Sequence, residues 1–285
     1  MRVSSNQILE AGVQSMDNSL TDAMAWQKKI STGKNYSKAS DNPYAVSRGI
    51  RLDFDVARLE MYKTNQNYVA STHAIAQSQM GTIIDELTVL KQAYVQSQND
   101  SLNSTNFKAL KIQAEQIRDT IKSQMTAKDA TGNYIFPEKI NDVQIEPNVT
   151  VKSGVEFTDA FDGGTLANPA QSALYTKIND FVTYLDQRAT GASLTKTASV
   201  IGSGLDAIFD RITTAQQRSG GIAAQVDISK EAMGTIGTEM AATASALLDT
   251  DLAAATAAYT RAQTLLNAAQ AMFARLQQSS LFSKL

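Results

Sequence analysis

Proline occurs at only four positions in this chain, and their placement constrains the fold more than any other feature of the sequence. An interior proline kinks or breaks a helix, so long stretches without proline are free to be helical. The sequence therefore predicts a mainly α protein. The prolines are Pro43, Pro137, Pro147 and Pro169, and the long stretches between or beside them are 1–42, 44–136 and 170–285.

Both ends of the chain carry a heptad pattern. Apolar residues spaced alternately by four and three positions form the seam of a coiled coil. Gln27 is the one polar residue in the N-terminal series. The C-terminal series is Leu248, Leu252, Ala255, Tyr259, Ala262, Leu266, Ala269, Phe273 and Leu276, and the N-terminal series is Leu9, Val13, Met16, Leu20, Ala23 and Ile30.

Such a terminal helix needs a partner. Burying six large seam residues at about 2 kcal/mol each contributes roughly 12 kcal/mol. Ordering about 30 residues costs on the order of 30–60 kcal/mol of backbone entropy before helical hydrogen bonds form. We therefore expect the two terminal helices to pack on each other and on neighbouring subunits. An intramolecular bundle is the alternative interpretation of the same stripes, because most amphipathic helices simply face a core.

Four further helices are predicted between the ends. One covers 44–98, after the capping sequence Asp41-Asn42-Pro43, and would be about 80 Å long at 1.5 Å per residue. A second covers about 105–126. Leu174, Ile178, Val182 and Leu185 mark a third, and the fourth begins near Ser193 and is expected to break near Gly220-Gly221.

The middle of the chain changes character. Short alternations at Val143/Ile145, Val149/Val151 and Val155/Phe157, separated by turn sequences, predict three small strands. The predicted fold is an elongated antiparallel hairpin of long helices with a small β region at about 132–165. We expect a terminal coiled-coil domain made of 1–42 and 243–285, and a rod domain at 43–242.

Charge and composition exclude several classes of function. A net charge of −2 provides no field that would attract nucleic acid or an anionic membrane. No segment is long and apolar enough to span a bilayer, and the start of the sequence lacks the apolar core of a signal peptide. The chain has no cysteine, so a disulfide or thiolate site is impossible. We predict neither nucleic-acid nor membrane binding.

Catalytic motifs are not evident. The single histidine, His73, has no acidic neighbour in sequence, and a structural role is expected for it. Ser31-Thr32-Gly33-Lys34 lacks the first glycine and the final Ser or Thr of a phosphate loop. We predict no catalytic residue, no metal site and no cofactor, with an enzyme that uses His73 as the remaining alternative.

Several motifs resemble the hook-associated protein 3 family of the flagellin superfamily. The most specific is the ending, which resembles the family's terminal S-L-F-x-x-L. The Ser-Thr-Gly-Lys and Ser-Asp-Asn-Pro forms favour this family over flagellin itself. The matching segments are Met1-Arg2-Val3-Ser4-Ser5, Gln27 to Lys34, Ser40-Asp41-Asn42-Pro43-Tyr44-Ala45, Asp129 to Phe136, and Ser279 to Leu285.

The resemblance implies a structural subunit of the bacterial flagellum at the junction of hook and filament. It implies a flagellin-like fold, export without a cleaved signal peptide through the flagellar type III apparatus with an export chaperone, and an extracellular location. The implied partners are copies of itself in a ring, hook-associated protein 1 and flagellin. The alternatives are a short flagellin and a secreted helical adaptor. The expected assembly interface comprises Leu9, Val13, Met16, Leu20, Ile30, Leu248, Leu252, Tyr259, Leu266, Phe273, Leu276, Leu281 and Phe282.

Overall fold

The structure is a computed structural model that describes the backbone of residues 2–282 and the side chains of residue 7 and residues 10–275. Long helices dominate it, so the prediction of a mainly α fold is confirmed. In chain order the elements are α1 (Arg2–Thr32), α2 (Pro43–Ser97), α3 (Ser104–Met125), β1 (Asp142–Glu146), β2 (Val149–Lys152), α4 (Phe157–Phe161), a 3₁₀ turn (Pro169–Gln171), α5 (Ala173–Thr190), α6 (Ala198–Leu248) and α7 (Leu252–Phe282).

Local capping sets the helix starts. The side chain of Asn42 accepts a hydrogen bond from the Ala45 amide at 3.0 Å, and Pro43 occupies the first helical position of α2. This confirms the predicted start of the longest helix. Asn103 caps α3 in the same way, through the Asn106 amide at 3.0 Å. α5 ends at Gly191, whose φ of 73° forms the left-handed cap that glycine adopts without strain.

Contacts divide the chain into two compact units. The first unit comprises residues 1–58 with 236–285, and the second comprises 59–235. In the first unit α1 packs along α7. Ala23, Ala255 and Ala262 are buried there. The predicted domain boundaries at 42/43 and 242/243 stay a proposal.

The second unit contains the large core. Helices α3 and α5 pack on the parts of α2 and α6 that belong to this unit. Polar contacts pair Tyr94 with Ala198, His73 with Ser219 and Gln66 with Ser229, so α2 and α6 run antiparallel here. The largest fully buried side chains include Phe136, Phe157, Phe161, Phe181 and Tyr184.

The β region has two strands, and the prediction of a third at Val155/Phe157 is wrong. β1 and β2 pair antiparallel, with Val143 opposite Val151, and Asn148 has a φ of 64° in the turn between them. Residues 157–161 form a short helix instead, which buries Phe157, Ala160 and Phe161. These residues lie at helical spacing, and their burial against the core outweighs a weak two-residue alternation.

Two further expectations about helix ends are wrong. α6 continues through Gly220 and Gly221 without a break, because Ser219 and Val226 on either side are buried against the second unit. A helical glycine costs only about 1 kcal/mol, which such packing offsets. The C-terminal seam is interrupted at 249–251, so Leu248 ends α6 and Leu252 begins α7.

Candidate assembly surface

The predicted seam residues of α1 and α7 separate into two groups. Met16 and Ile30 on α1, and Tyr259, Leu266 and Phe273 on α7, are partly buried. An ideal Cβ at Gly12 would lie 3.5 Å from Cδ2 of Phe273, which shows how closely the two helices approach. Val13, Leu20 and Leu252 are exposed instead, and Leu248 at the end of α6 is partly buried.

Four of the expected interface residues lie outside the described side chains. These are Leu9, Leu276, Leu281 and Phe282, whose backbones belong to α1 or α7. Their part in an interface stays a prediction.

Three exposed apolar residues on the terminal helices do not belong to the predicted seams. Met24 lies four positions after Leu20 on α1, and Leu265 and Met272 lie seven positions apart on α7. A second search of each helix for apolar residues beside the first seam would have found them. Together with Val13 and Leu20 they leave apolar surface on both helices that the single chain does not bury.

A short backbone clasp joins the connection that follows α1 to the connection that follows α6. We define the clasp as residues 33–35 with 248–250. The Asn35 amide donates to the carbonyl of Leu248 at 2.7 Å, and the Thr250 amide donates to the carbonyl of Gly33 at 2.8 Å. Lys34 Nζ lies 2.6 Å from Asp249 Oδ1. The clasp therefore holds the start of α7 close to the end of α1.

Two carboxylates stabilise these connections. The hydrogen bond from Lys34, together with one from Ser245, holds the pKa of Asp249 below its ordinary value. In the loop before α2, the Asp41 carboxylate accepts hydrogen bonds from the backbone amides of Lys38 and Ser37 at 3.0 and 3.1 Å, which lower the pKa of that carboxyl. Both side chains are therefore anionic acceptors at neutral pH.

His73 has a structural environment in the second unit. Its Nε2 lies 3.0 Å from the carbonyl oxygen of Lys152, which can only accept, so Nε2 carries the proton. Its Nδ1 accepts from the Ser219 hydroxyl at 2.8 Å. Burial lowers the pKa of His73, against the opposing effect of the Lys152 carbonyl. The Ser–His distance suits a nucleophile and its base, but both side chains are closed to solvent.

Polar side chains of α2 hold the β-hairpin in two pairs seven residues apart. Asn65 donates to the carbonyl of Gln144 at 2.8 Å, and Gln66 donates to that of Ile145 at 2.9 Å. One heptad later, Thr72 donates to the carbonyl of Ser153 at 2.6 Å, beside the His73 contact. The hairpin is thus fixed to α2 through its backbone.

Two negative findings concern the described part of the chain. Its side chains include no group of three or more His, Cys, Asp or Glu residues arranged to hold a metal ion. None of its helices combines the length and the apolarity needed to cross a bilayer.

Comparison with known sequences gives one family and a small set of relatives. The family described as the bacterial flagellin N-terminal helical region matches residues 3–139. Flagellar hook-associated protein 3 of Salmonella typhimurium is 24% identical over 136 residues, which is 48% of this chain and 43% of that protein. Flagellin FljK of Caulobacter vibrioides is 26% identical over 114 residues, covering 40% of this chain and 42% of that protein. The matched part thus spans less than half the length of these curated relatives.

A solved structure matches a larger share of the chain. Flagellar hook-associated protein 3 of Legionella pneumophila superimposes with a TM-score of 0.60 at 11% identity, over 69% of this chain and 98% of that one. At that identity the likeness shows a shared fold.

Proposed function

We propose that this chain is a structural subunit of the bacterial flagellum at the junction between hook and filament, because residues 3–139 match the bacterial flagellin N-terminal helical region and its relatives include a flagellar hook-associated protein 3. The observation that carries the proposal is the apolar surface left exposed on α1 and α7. Val13 and Leu20 lie seven residues apart on one helix, and Leu265 and Met272 lie seven apart on the other. Neighbouring subunits would bury these side chains, as heptad-spaced apolar residues require.

The partners follow from the same proposal. Copies of the chain associate in a ring, with hook-associated protein 1 on the hook side and flagellin on the filament side. The subunit is exported by the flagellar type III apparatus with a chaperone, without cleavage of a signal peptide, and works outside the cell. The names of the relatives, hook-associated protein 3 and flagellin, support these assignments.

The proposed assembly interface keeps the residues expected from the sequence. Exposed Val13, Leu20 and Leu252 face neighbouring subunits, whereas Met16, Ile30, Tyr259, Leu266 and Phe273 hold α1 and α7 together. Leu248 packs at the clasp. We assign Leu9, Leu276, Leu281 and Phe282 to the same surface from their sequence spacing alone.

We further propose that the chain is not an enzyme. The relatives have structural flagellar names. His73 and Ser219, the pair with the spacing of a nucleophile and base, are buried and contact backbone carbonyls of the fold. A secreted helical adaptor is disfavoured by the apolar surface of α1 and α7, which an isolated soluble module would not need.

A short flagellin remains the second candidate, favoured by the match to Flagellin FljK. Deleting the gene in the bacterium that encodes it separates the two. A junction subunit presents different surfaces to hook and filament, so its loss should leave hooks without filaments and release flagellin into the medium. Full-length filaments on the deletion strain would refute the junction. Self-seeded growth of the purified chain into long filaments would favour flagellin.

A further inference from the structure

Helix α2 carries a second apolar stripe, beside the face that is buried in the second unit. Its inner side is buried at positions such as Val69, Ala76 and Ile83. At the edge of that buried face Met61, Tyr68, Ile75 and Val89 are 37% to 56% exposed. These residues lie seven or fourteen positions apart, and Thr82 occupies the heptad position between Ile75 and Val89. We call positions 61 to 89 of this series the outer α2 stripe.

The spacing within the outer α2 stripe indicates what it would contact. An apolar residue at every seventh position follows the supercoil of two paired helices and drifts off one face of a straight helix. Three residues after Met61, Tyr68 and Ile75 stand Thr64, Ser71 and Ser78, which are small and exposed. Large residues alternating with small ones let a second helix approach closely. The expected partner is therefore a helix.

The middle of the outer α2 stripe has no charged residue on α2 itself, although Lys63, Asp85 and Glu86 flank it and Asp129 and Lys139 line the adjoining groove. From Thr64 to Ile84 there is no Asp, Glu, Lys or Arg, in a chain that is 19% charged. A helix surface that stays in water normally carries charges, whereas charged residues are depleted at the centre of protein interfaces. Ile112 on α3 provides the contrast. It is 56% exposed, like Tyr68, but Lys108, Lys111 and Glu115 stand within four positions of it.

Tyr68 and Ile75 also line a groove within the second unit. The groove has a volume of about 770 Å³, and Tyr134 and Ile140 also line it. The outer α2 stripe thus adjoins a groove at its centre that a side chain of a partner could enter.

We propose that the outer α2 stripe is the surface on which a helix of a second copy of this chain docks, an inference that rests on the proposed assembly function. In a ring the lateral neighbours of a subunit are copies of it. The chain itself supplies uncharged helical segments with exposed apolar residues seven apart, for example Leu265 and Met272 between Ala262 and Ala274.

The size of the stripe determines when the contact forms. Four partly exposed side chains offer roughly 300–400 Å² of apolar surface, against about 800 Å² per partner in a stable complex. The stripe is too small to hold a dimer in solution. It forms its contact when other surfaces already hold the copies side by side, and the purified chain stays monomeric.

Photo-crosslinking identifies the occupant directly. The photoreactive residue p-benzoylphenylalanine replaces Tyr68 in the encoding bacterium, and intact flagella are irradiated. We expect a product of roughly twice 30.7 kDa that contains two copies of this chain. The matched control places the same probe at Ile112, which has equal exposure, and should give no such product. A product with a different protein, or none at position 68 in assembled flagella, overturns the proposal.

A charge in the stripe provides the second test. Ile75→Glu should abolish or strongly reduce filament attachment while the circular dichroism and melting of the purified chain stay unchanged. Ile112→Glu should retain filaments. If the deletion strain lacks filaments and the Ile75→Glu protein restores them fully, the proposed docking surface is wrong, whereas the proposed junction function is retained. If the deletion strain keeps its filaments, the junction function itself has failed. Should Ile75→Glu misfold, the crosslinking result decides.

Discussion

At the scale of single residues, the informative side chains are the buried polar ones. Gln66, His73, Ser219 and Ser229 lie within the second unit, and each has a hydrogen-bond partner. The contacts of Gln66 and His73 with backbone carbonyls of the hairpin are directional. An apolar contact would let the hairpin slide along α2, whereas a satisfied polar contact specifies one position.

His73 should make stability depend on pH. Burial depresses its pKa below 6.5 in the folded chain, so the unfolded chain binds the proton more readily. The full stability is present above pH 6.5 and decreases as the pH falls from there toward the folded pKa. We expect a lower urea midpoint at about pH 5 than at about pH 7.5.

The matched variant for this prediction is His73→Gln. It has no titratable group, although its amide can still donate toward the Lys152 carbonyl. His73 is the only histidine, and the carboxyl groups with lowered pKa values titrate well below this window. The urea midpoint of the variant should therefore be the same at those two pH values. An equal slope in both proteins would contradict the assignment of His73 as a buried neutral group.

At the scale of secondary-structure elements, two glycines with open space around them differ in backbone conformation. Gly33 ends α1 with a φ of 66° and has open space around its Cα, so only its backbone conformation restricts substitution. Gly221 lies inside α6, also with open space, in an ordinary helical conformation. Replacement by alanine should therefore lower the stability at Gly33 and raise it at Gly221.

We predict that Gly33→Ala destabilises the first unit by about 1–2 kcal/mol, because an L-residue is strained at positive φ. Gly221→Ala should stabilise α6 by about 0.5–1 kcal/mol. Hydrogen exchange of α1 and α6 amides measures both. Fluorescence of Trp26, the single tryptophan, gives an independent signal from α1. Stabilisation by Gly33→Ala would mean that the turn at the clasp is wrongly described.

The ends of α2 and α6 that belong to the first unit meet at Gly49. An ideal Cβ there would lie 2.4 Å from Cδ1 of Leu248, closer than two carbon atoms can approach. Gly49→Ala should therefore cost about 1–3 kcal/mol, and the loss should shrink in the double variant with Leu248→Ala, which removes the clash. Urea unfolding followed by Trp26 fluorescence yields the coupling energy. Strict additivity of the two changes would contradict the contact.

At the scale of the whole molecule, the two ends of the chain depend on each other. Residues 1–58 and 236–285 form one compact unit, in which α1 packs on α7. Neither helix offsets its ordering entropy with its own seam. A disturbance in one terminal helix should therefore reach the other, although more than 200 residues separate them in sequence.

We predict that Ala23→Asp lowers the amide protection of α7 as well as that of α1, because Ala23 is buried and its replacement places a charge in the contact. Ala25→Asp, two residues away and exposed, should leave the protection of α7 unchanged. Hydrogen exchange of residues 252–275 provides the measurement. Unchanged protection of α7 in Ala23→Asp would show that the two helices order independently.

The helical architecture could be predicted from local features of the sequence. Proline placement, the Asn42-Pro43 start and the heptad spacings are properties of a few neighbouring residues, and each acts in the same way in any chain. The third strand at Val155/Phe157 and the break at Gly220-Gly221 were predicted from equally local signals, and both are wrong. At both places the burial of apolar side chains outweighs a weak local preference. Phe157 and Phe161 pack in the core, and Val226 is buried in α6 beyond the two glycines.

The sequence by itself determined that this chain is built from long amphipathic helices with matching stripes at both ends. Only the tertiary structure decided which stripes are covered: Phe273 lies close to Gly12 of α1, Val13 and Leu20 remain exposed, and α2 keeps exposed apolar residues at Tyr68 and Ile75. The physical reason is that periodicity defines a face of a helix, whereas burial requires a second surface. That surface comes from residues far away in the chain, whose position no local pattern specifies.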